Sequence, residues 1–176
     1  MDIKIKESLF EVIRDFSMPR YQQIPDMGLY LEQTTKYINL SLKPLGCFEV
    51  TGSMIRNYGK MGLVNNPEKK LYYRDQIVHL MTITILKNVI PLENIQLFFK
   101  SQKRVYTDQV AYDYFCMELE NILHERFGIT ETVKKIGVTN SVEKEMLRSA
   151  ITAVSHLIYV NACINVIKEQ NTNEPQ

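Results

Sequence analysis

Residues 51–81 read TGSMIRNYGKMGLVNNPEKKLYYRDQIVHLM, and the order of elements in this stretch decides the fold. The run Thr51–Lys60 predicts a short helix that Gly62 stops. LVNNPEKKLYY, residues 63–73, reads as a turn between two short extended runs. From Arg74 to Asn88 the spacing of Ile77, Leu80, Met81, Thr84 and Ile85 predicts a helix with one apolar side. Between Thr51 and Arg74 five cations (Arg56, Lys60, Lys69, Lys70 and Arg74) stand against Glu68 alone, in a chain whose net charge is +1. Basicity is therefore local to this stretch.

Outward toward the N-terminus, Asp26 is placed to cap a helix running to Leu42, with Leu29, Leu31, Tyr37, Ile38 and Leu42 as its apolar positions and KPLGC (43–47) as its break. SMPRYQQIP (17–25) reads as an extended connector, and Asp2–Phe16 as a short amphipathic helix through Ile5, Leu9, Ile13 and Phe16. Toward the C-terminus, Pro91 opens a helix to about Lys103. A further helix over about 105–127 holds Tyr112, Phe115, Cys116, Leu119, Ile122 and Leu123 at three-to-four spacing, with Glu118, Glu120 and Glu125 facing elsewhere. The last helix, about 142–169, carries Leu147, Ile151, Val154, Ile158 and Asn161 at heptad spacing, and residues 170–176 are a polar tail.

The 176-residue length fits one domain, and 45% hydrophobic with 23% charged residues is the composition of a soluble globular chain. Seven glycines and six prolines are too few for a turn-rich β-sandwich, so the expected class is all-α with a small two-stranded wing. Cys47, Cys116 and Cys163 form no CxxC, which points away from a disulfide scaffold and from zinc and toward a reducing, cytoplasmic setting. Ser149–Ile167 lacks charge and approaches the length of a membrane span, but Ser149, Thr152, Ser155, His156, Asn161 and Asn165 interrupt it; a buried amphipathic helix is the better reading. Asp108, Asp113, Glu118 and Glu125 read as a solvated face, and His79, His124 and His156 have no visible partner triad. No nucleotide-binding, nucleophile-elbow or zinc-protease motif occurs, so neither enzyme activity, nor a cofactor, nor a metal is expected.

A helix, a break, a second short helix, a turn between extended runs and more helix is the layout of a winged helix-turn-helix, in which the second helix enters the major groove and the wing lies along the backbone. The candidate DNA-contacting residues are Thr51, Ser53, Arg56, Asn57, Tyr58, Lys60, Lys69, Lys70, Tyr72 and Arg74. For Tyr58 and Tyr72, packing inside the core accounts for the residue as well as DNA contact does.

On these residues the stretch 45–101 resembles the DNA-binding module of MerR-type regulators, with a recognition helix ending in Arg-x-Tyr, a "GL", a wing tyrosine and a helix reading "PLENI". The resemblance implies that Arg56 and Tyr58 approach the DNA backbone, that Lys70 stands for the usual wing arginine and that Tyr72 is the wing tyrosine. Asn57 departs from the usual paired tyrosines and Tyr73 from the usual Ser or Thr cap. The long effector-gated coiled coil and the cysteine effector site of metal-sensing relatives have no counterpart. MPRYQQIPDMGLYLEQTTKYIN (18–39) also resembles a bacterial family of unknown function, whose PR–aromatic–xx–(I/L)PD–xx–LY signature precedes a MerR-like helix-turn-helix.

The expectation is a sequence-specific binder of double-stranded DNA, a transcriptional regulator acting as a homodimer, with no membrane partner. Four regions serve it: residues 1–25, the 26–103 module, a 104–169 helical region that covers the core or dimerises, and the 170–176 tail. Leu147, Ile151, Val154, Ile158 and Asn161 are the candidate dimer interface, Asn161 setting register with its symmetry mate. The same stripe pairing with helix 105–127 of its own chain is the alternative. At the level of function the alternative is a protein–protein interaction module on the same scaffold, and a third reading is a sensor holding a small-molecule effector among Tyr112, Phe115 and the last helix.

Overall fold

The computed structural model describes residues 3–137 and 141–172, with side chains from 7 to 137 and from 141 to 169. Seven helices follow in order: α1 (Ile3–Ile13), α2 (Leu31–Leu42), α3 (Gly52–Lys60), α4 (Arg74–Leu86), α5 (Leu92–Gln102), α6 (Asp108–Arg126) and α7 (Val142–Thr172). Two short strands, β1 (Leu29–Tyr30) and β2 (Leu71–Tyr72), pair antiparallel with Leu29 opposite Tyr72 and Tyr30 opposite Leu71. The fold is thus predominantly helical with one small sheet. The expected wing differs in its pairing: β2 joins a strand from before α2 and not the 63–67 run, while Glu68 and Leu71 close the intervening turn by a single bridge.

Glutamine starts two of these helices. Tyr30 N–H donates to the Gln33 side chain at 2.9 Å, and Tyr73 N–H to the Gln76 side chain at 2.7 Å. Each glutamine sits three residues into its segment and satisfies a backbone donor that the preceding tyrosine cannot cap. Asp26, expected to cap α2, lies well before it and is exposed, because residues 29–30 are drawn into β1. Thr51 and Thr107 cap α3 and α6 through their hydroxyls.

Helix α4 is the centre of the molecule. From Gln76 to Leu86 every residue except His79 is buried, where the sequence pattern predicts a single apolar side. The Thr82 and Thr84 hydroxyls tolerate this by donating to the carbonyls four residues back, at 2.9 and 2.7 Å. One hydrophobic core runs from Leu9 and Ile13 through α4 to Phe115, Leu119, Ile151 and Ile158.

Helices α6 and α7 lie side by side in the same direction, as Tyr106–Ser141, Glu118–Arg148 and Phe127–Tyr159 contacts show. Parallel neighbours need a chain that returns along them, and residues 128–137 run back along α6, held by Asn121 at Lys134. This packing corrects the expected dimer interface. Leu147, Ile151, Val154 and Ile158 are buried in the core of their own chain, and Asn161 is half-buried with its amide donating to the Leu157 carbonyl at 3.0 Å. The heptad stripe is the intramolecular seam. Val142–Glu169 is long and apolar enough to cross a membrane by length and composition, yet this inner face is packed into the core.

Glu118 corrects the expected solvated face of α6. It is fully buried toward α7, with Arg148 Nε 3.0 Å from one carboxylate oxygen, out of line for a hydrogen bond. Asp108 pairs with His79 and Lys103, and Asp113 accepts from the Tyr21 N–H at 2.8 Å.

Candidate nucleic-acid interface

Helix α3 is oriented by three contacts. Asn39 of α2 exchanges two hydrogen bonds with the Val50 backbone, both 2.9 Å, fixing the chain just before the helix. Gly52 lets α2 approach: a Cβ there would lie 3.2 Å from the Leu31 side chain. Ile55 and Tyr58 are buried beneath. With that face fixed inward, Ser53, Arg56, Asn57 and Lys60, at helical spacing, project from the opposite face and are all exposed.

The loop that leads to the 68–71 turn meets α3 at Gly59, where a Cβ would lie 3.1 Å from the Asn66 side-chain oxygen. Leu71 N–H donates to the Glu68 carbonyl at 2.8 Å and Glu68 N–H returns to Leu71 at 3.0 Å. Its two central residues, Lys69 and Lys70, have φ of 49° and 69°. Both positive angles are those of a tight hairpin turn in which Asn-Gly is usual, and side chains pay a steric cost there. The preceding loop is pinned by Gln76, whose amide donates to the Asn65 and Asn66 carbonyls at 2.9 Å each. Gln76 therefore uses its donor and its acceptor at one stroke, starting α4 and fixing the loop. Burial raises the Tyr72 phenol pKa, and the Arg56 charge opposes that rise.

Arg56, Lys60, Lys69 and Lys70 form no ion pair among the described residues. Four other candidates have internal work. Thr51 is the cap of α3, accepting from Met54 N–H at 3.2 Å. Tyr58 and Tyr72 are buried at 3% and 5% exposure, so core packing is their role. Arg74 donates to the Ile24 carbonyl at 2.8 Å, reaches Gln22 and Asp26, and lies over the Tyr21 ring. It ties the N-terminal connector to α4 and does not project from the basic face.

Sequence reading missed what the Pro-Arg-Tyr signature does. Arg20 holds Glu120 of α6 at two points, Tyr21 O–H donates to Asp75 of α4, and Glu120 also accepts from Met18 N–H at 2.8 Å. The connector is a strap across α4 and α6. An arginine and carboxylates a hundred residues apart leave no local pattern, so only an extended segment crowded with polar residues could have signalled it.

The sensor reading among Tyr112 and Phe115 finds only a void of about 20 Å3 there, with both rings buried in the core. That is room for one water at most. Among the described residues no group of three or more His, Cys, Asp or Glu is placed to hold a metal.

A helical protein with a small sheet that presents a basic helix face and a basic turn is the class this geometry defines. Residues 19–117, more than half of the chain, match the family described as Domain of unknown function (DUF1836), and the chain belongs to that family. No curated protein and no solved structure matches the chain.

Proposed function

We propose that this chain is a sequence-specific binder of double-stranded DNA and a transcriptional regulator, acting as a homodimer with a winged helix-turn-helix of MerR type. The observation that carries the reading is the joint presentation of Ser53, Arg56, Asn57 and Lys60 on one exposed face of α3, beside two lysines in a left-handed turn. Amide and guanidinium groups on a helix suit base edges, and lysines on a turn suit phosphates. Two residues kept in a costly backbone conformation at an exposed tip favour a functional purpose for the tip.

A single module of this size buries only about 600–1,000 Å2 on DNA, so two half-sites are needed for tight binding. The inner stripe of α7 is committed to the core, which leaves the outer face for a second copy. Met146, Ala153, Val160 and Ile167 repeat every seven residues along it and are exposed. Residues 149–167 carry no Lys or Arg, which a helix lying on anionic lipid would need.

The test is fluorescence anisotropy on a mixed-sequence duplex over a salt series, with Arg56→Ala and with Lys69→Ala/Lys70→Ala. Log affinity falls with log salt by about 0.9 per phosphate contact, and each lost contact flattens the slope by about one. A slope that these variants leave unchanged, or no binding at low salt, overturns the reading and turns attention to a protein partner.

A further inference from the structure

After α6 the chain turns at Gly128 (φ 78°) and runs back along that helix. Two tethers hold it. Asn121 exchanges both amide bonds with the Lys134 backbone, at 2.7 and 2.9 Å, and Lys144 Nζ donates to the Ile136 carbonyl at 2.7 Å. Between this returning segment, α6 and the first turns of α7 lies a cavity of about 380 Å3. Its walls are mainly apolar, from Val110, Ala111, Tyr114, Met117, Ile136 and Leu147. Val110 and Met117 are 53% and 40% exposed, an apolar mouth that nothing among the described residues covers. The volume lies within the range of small-molecule sites, about 300–1,000 Å3.

The polar groups narrow the ligand. Lys144 is tethered to Ile136 and lies 5.2 Å over the Tyr114 ring, and Asp113 accepts from Tyr21 N–H. One cation and one anion, each already engaged, favour a ligand without net charge. Gln102 differs. The residue is 8% exposed, lines the cavity and makes no side-chain hydrogen bond with any described residue. A carboxamide that opens on the cavity without a protein partner can both donate to and accept from a ligand. The Met117 thioether and the Tyr106 and Tyr114 rings suit an aromatic body.

We propose that this cavity binds a neutral, largely apolar aromatic molecule carrying an amide-like hydrogen-bonding edge, which the Gln102 carboxamide engages while the body packs against Val110, Met117 and Leu147. The site lies on α5, α6 and α7, away from α3 and the 69–70 turn, and its test is independent of DNA.

The probes are 2-naphthamide and naphthalene, titrated into the full chain while backbone amide and Gln102 side-chain resonances are followed. Saturable shifts at Gln102, Val110, Met117 and Leu147 with 2-naphthamide are expected. Gln102→Leu should weaken 2-naphthamide about tenfold, the loss of a buried hydrogen-bonded pair, and leave naphthalene unchanged. Val110→Trp, at an exposed position, should fill the mouth and exclude both. Absence of saturation, or shifts confined to the outer face of α7, overturns the site. Equal weakening of both probes by Gln102→Leu overturns the role of the carboxamide.

Discussion

The Arg20 guanidinium faces the Glu120 carboxylate as a two-point pair, its two terminal nitrogens 2.7 and 2.6 Å from the two oxygens. The same Glu120 oxygen that meets the first nitrogen accepts from Met18 N–H, and the same guanidinium donates to the Met18 carbonyl at 3.1 Å. Planar guanidinium and planar carboxylate match in a way that ammonium cannot.

Arg20→Lys is therefore expected to destabilise the chain by about 1 kcal/mol and Glu120→Ala by about 2 kcal/mol, since the alanine also strands the Met18 N–H. Urea denaturation checks the order. Equal midpoints for wild type and Glu120→Ala would remove the strap from the stabilising contacts.

Two carboxyls of α6 give opposite pH signatures. The His79 bond, with help from Lys103 and against burial, holds Asp108 below its ordinary 3.8. A lowered folded pKa contributes stability present above about pH 4 and lost as pH falls through the folded value. Burial pushes Glu118 above its ordinary 4.5 even though Arg148 pulls it down. Its contribution is complete below about pH 4.5 and lost as pH rises through the raised value. Asp108→Asn should thus lower the urea midpoint at neutral pH and converge on wild type in acid. Glu118→Gln should gain on wild type as pH rises. Parallel pH profiles for all three proteins would contradict both assignments.

Lys70 sits at φ 69° in an exposed turn. Lys70→Gly should raise stability by about 0.5 kcal/mol, the relief of left-handed strain less the added entropy of the unfolded glycine. It should at the same time weaken DNA binding and flatten its salt dependence. A variant that is stabilised with DNA affinity intact would make the lysine an ordinary surface residue.

The two faces of α7 separate by mutation. Ile158 is 1% exposed and Val160 52%. Ile158→Ala should cost about 3 kcal/mol. Val160→Lys with Ile164→Lys should convert a dimer to a monomer by light scattering and make the unfolding midpoint independent of protein concentration, with no cavity opened in the core. A monomeric wild type would dismiss the outer face as an interface.

The periodic stretches were legible in the sequence. The last helix and α6 follow from apolar spacing, and Thr51–Lys60 was readable as a short helix carrying Arg56 and Lys60; which of its residues are exposed was not. Helical period is a local property, so the chain itself determines it. Which face meets what is not local. The stripe Leu147–Ile158 has the spacing that a second copy would use, and only the parallel approach of α6 commits it to the core of its own chain. Arg74 counted among the basic residues until the connector folded over it and Ile24 took its guanidinium. Glu118 counted as solvated until Arg148 came to meet it in the interior. The sequence determined the helical periods and which residues carry charge; tertiary packing decided where α2 begins and which charges face solvent, because strand pairing and burial depend on what lies opposite in space and not on neighbours along the chain.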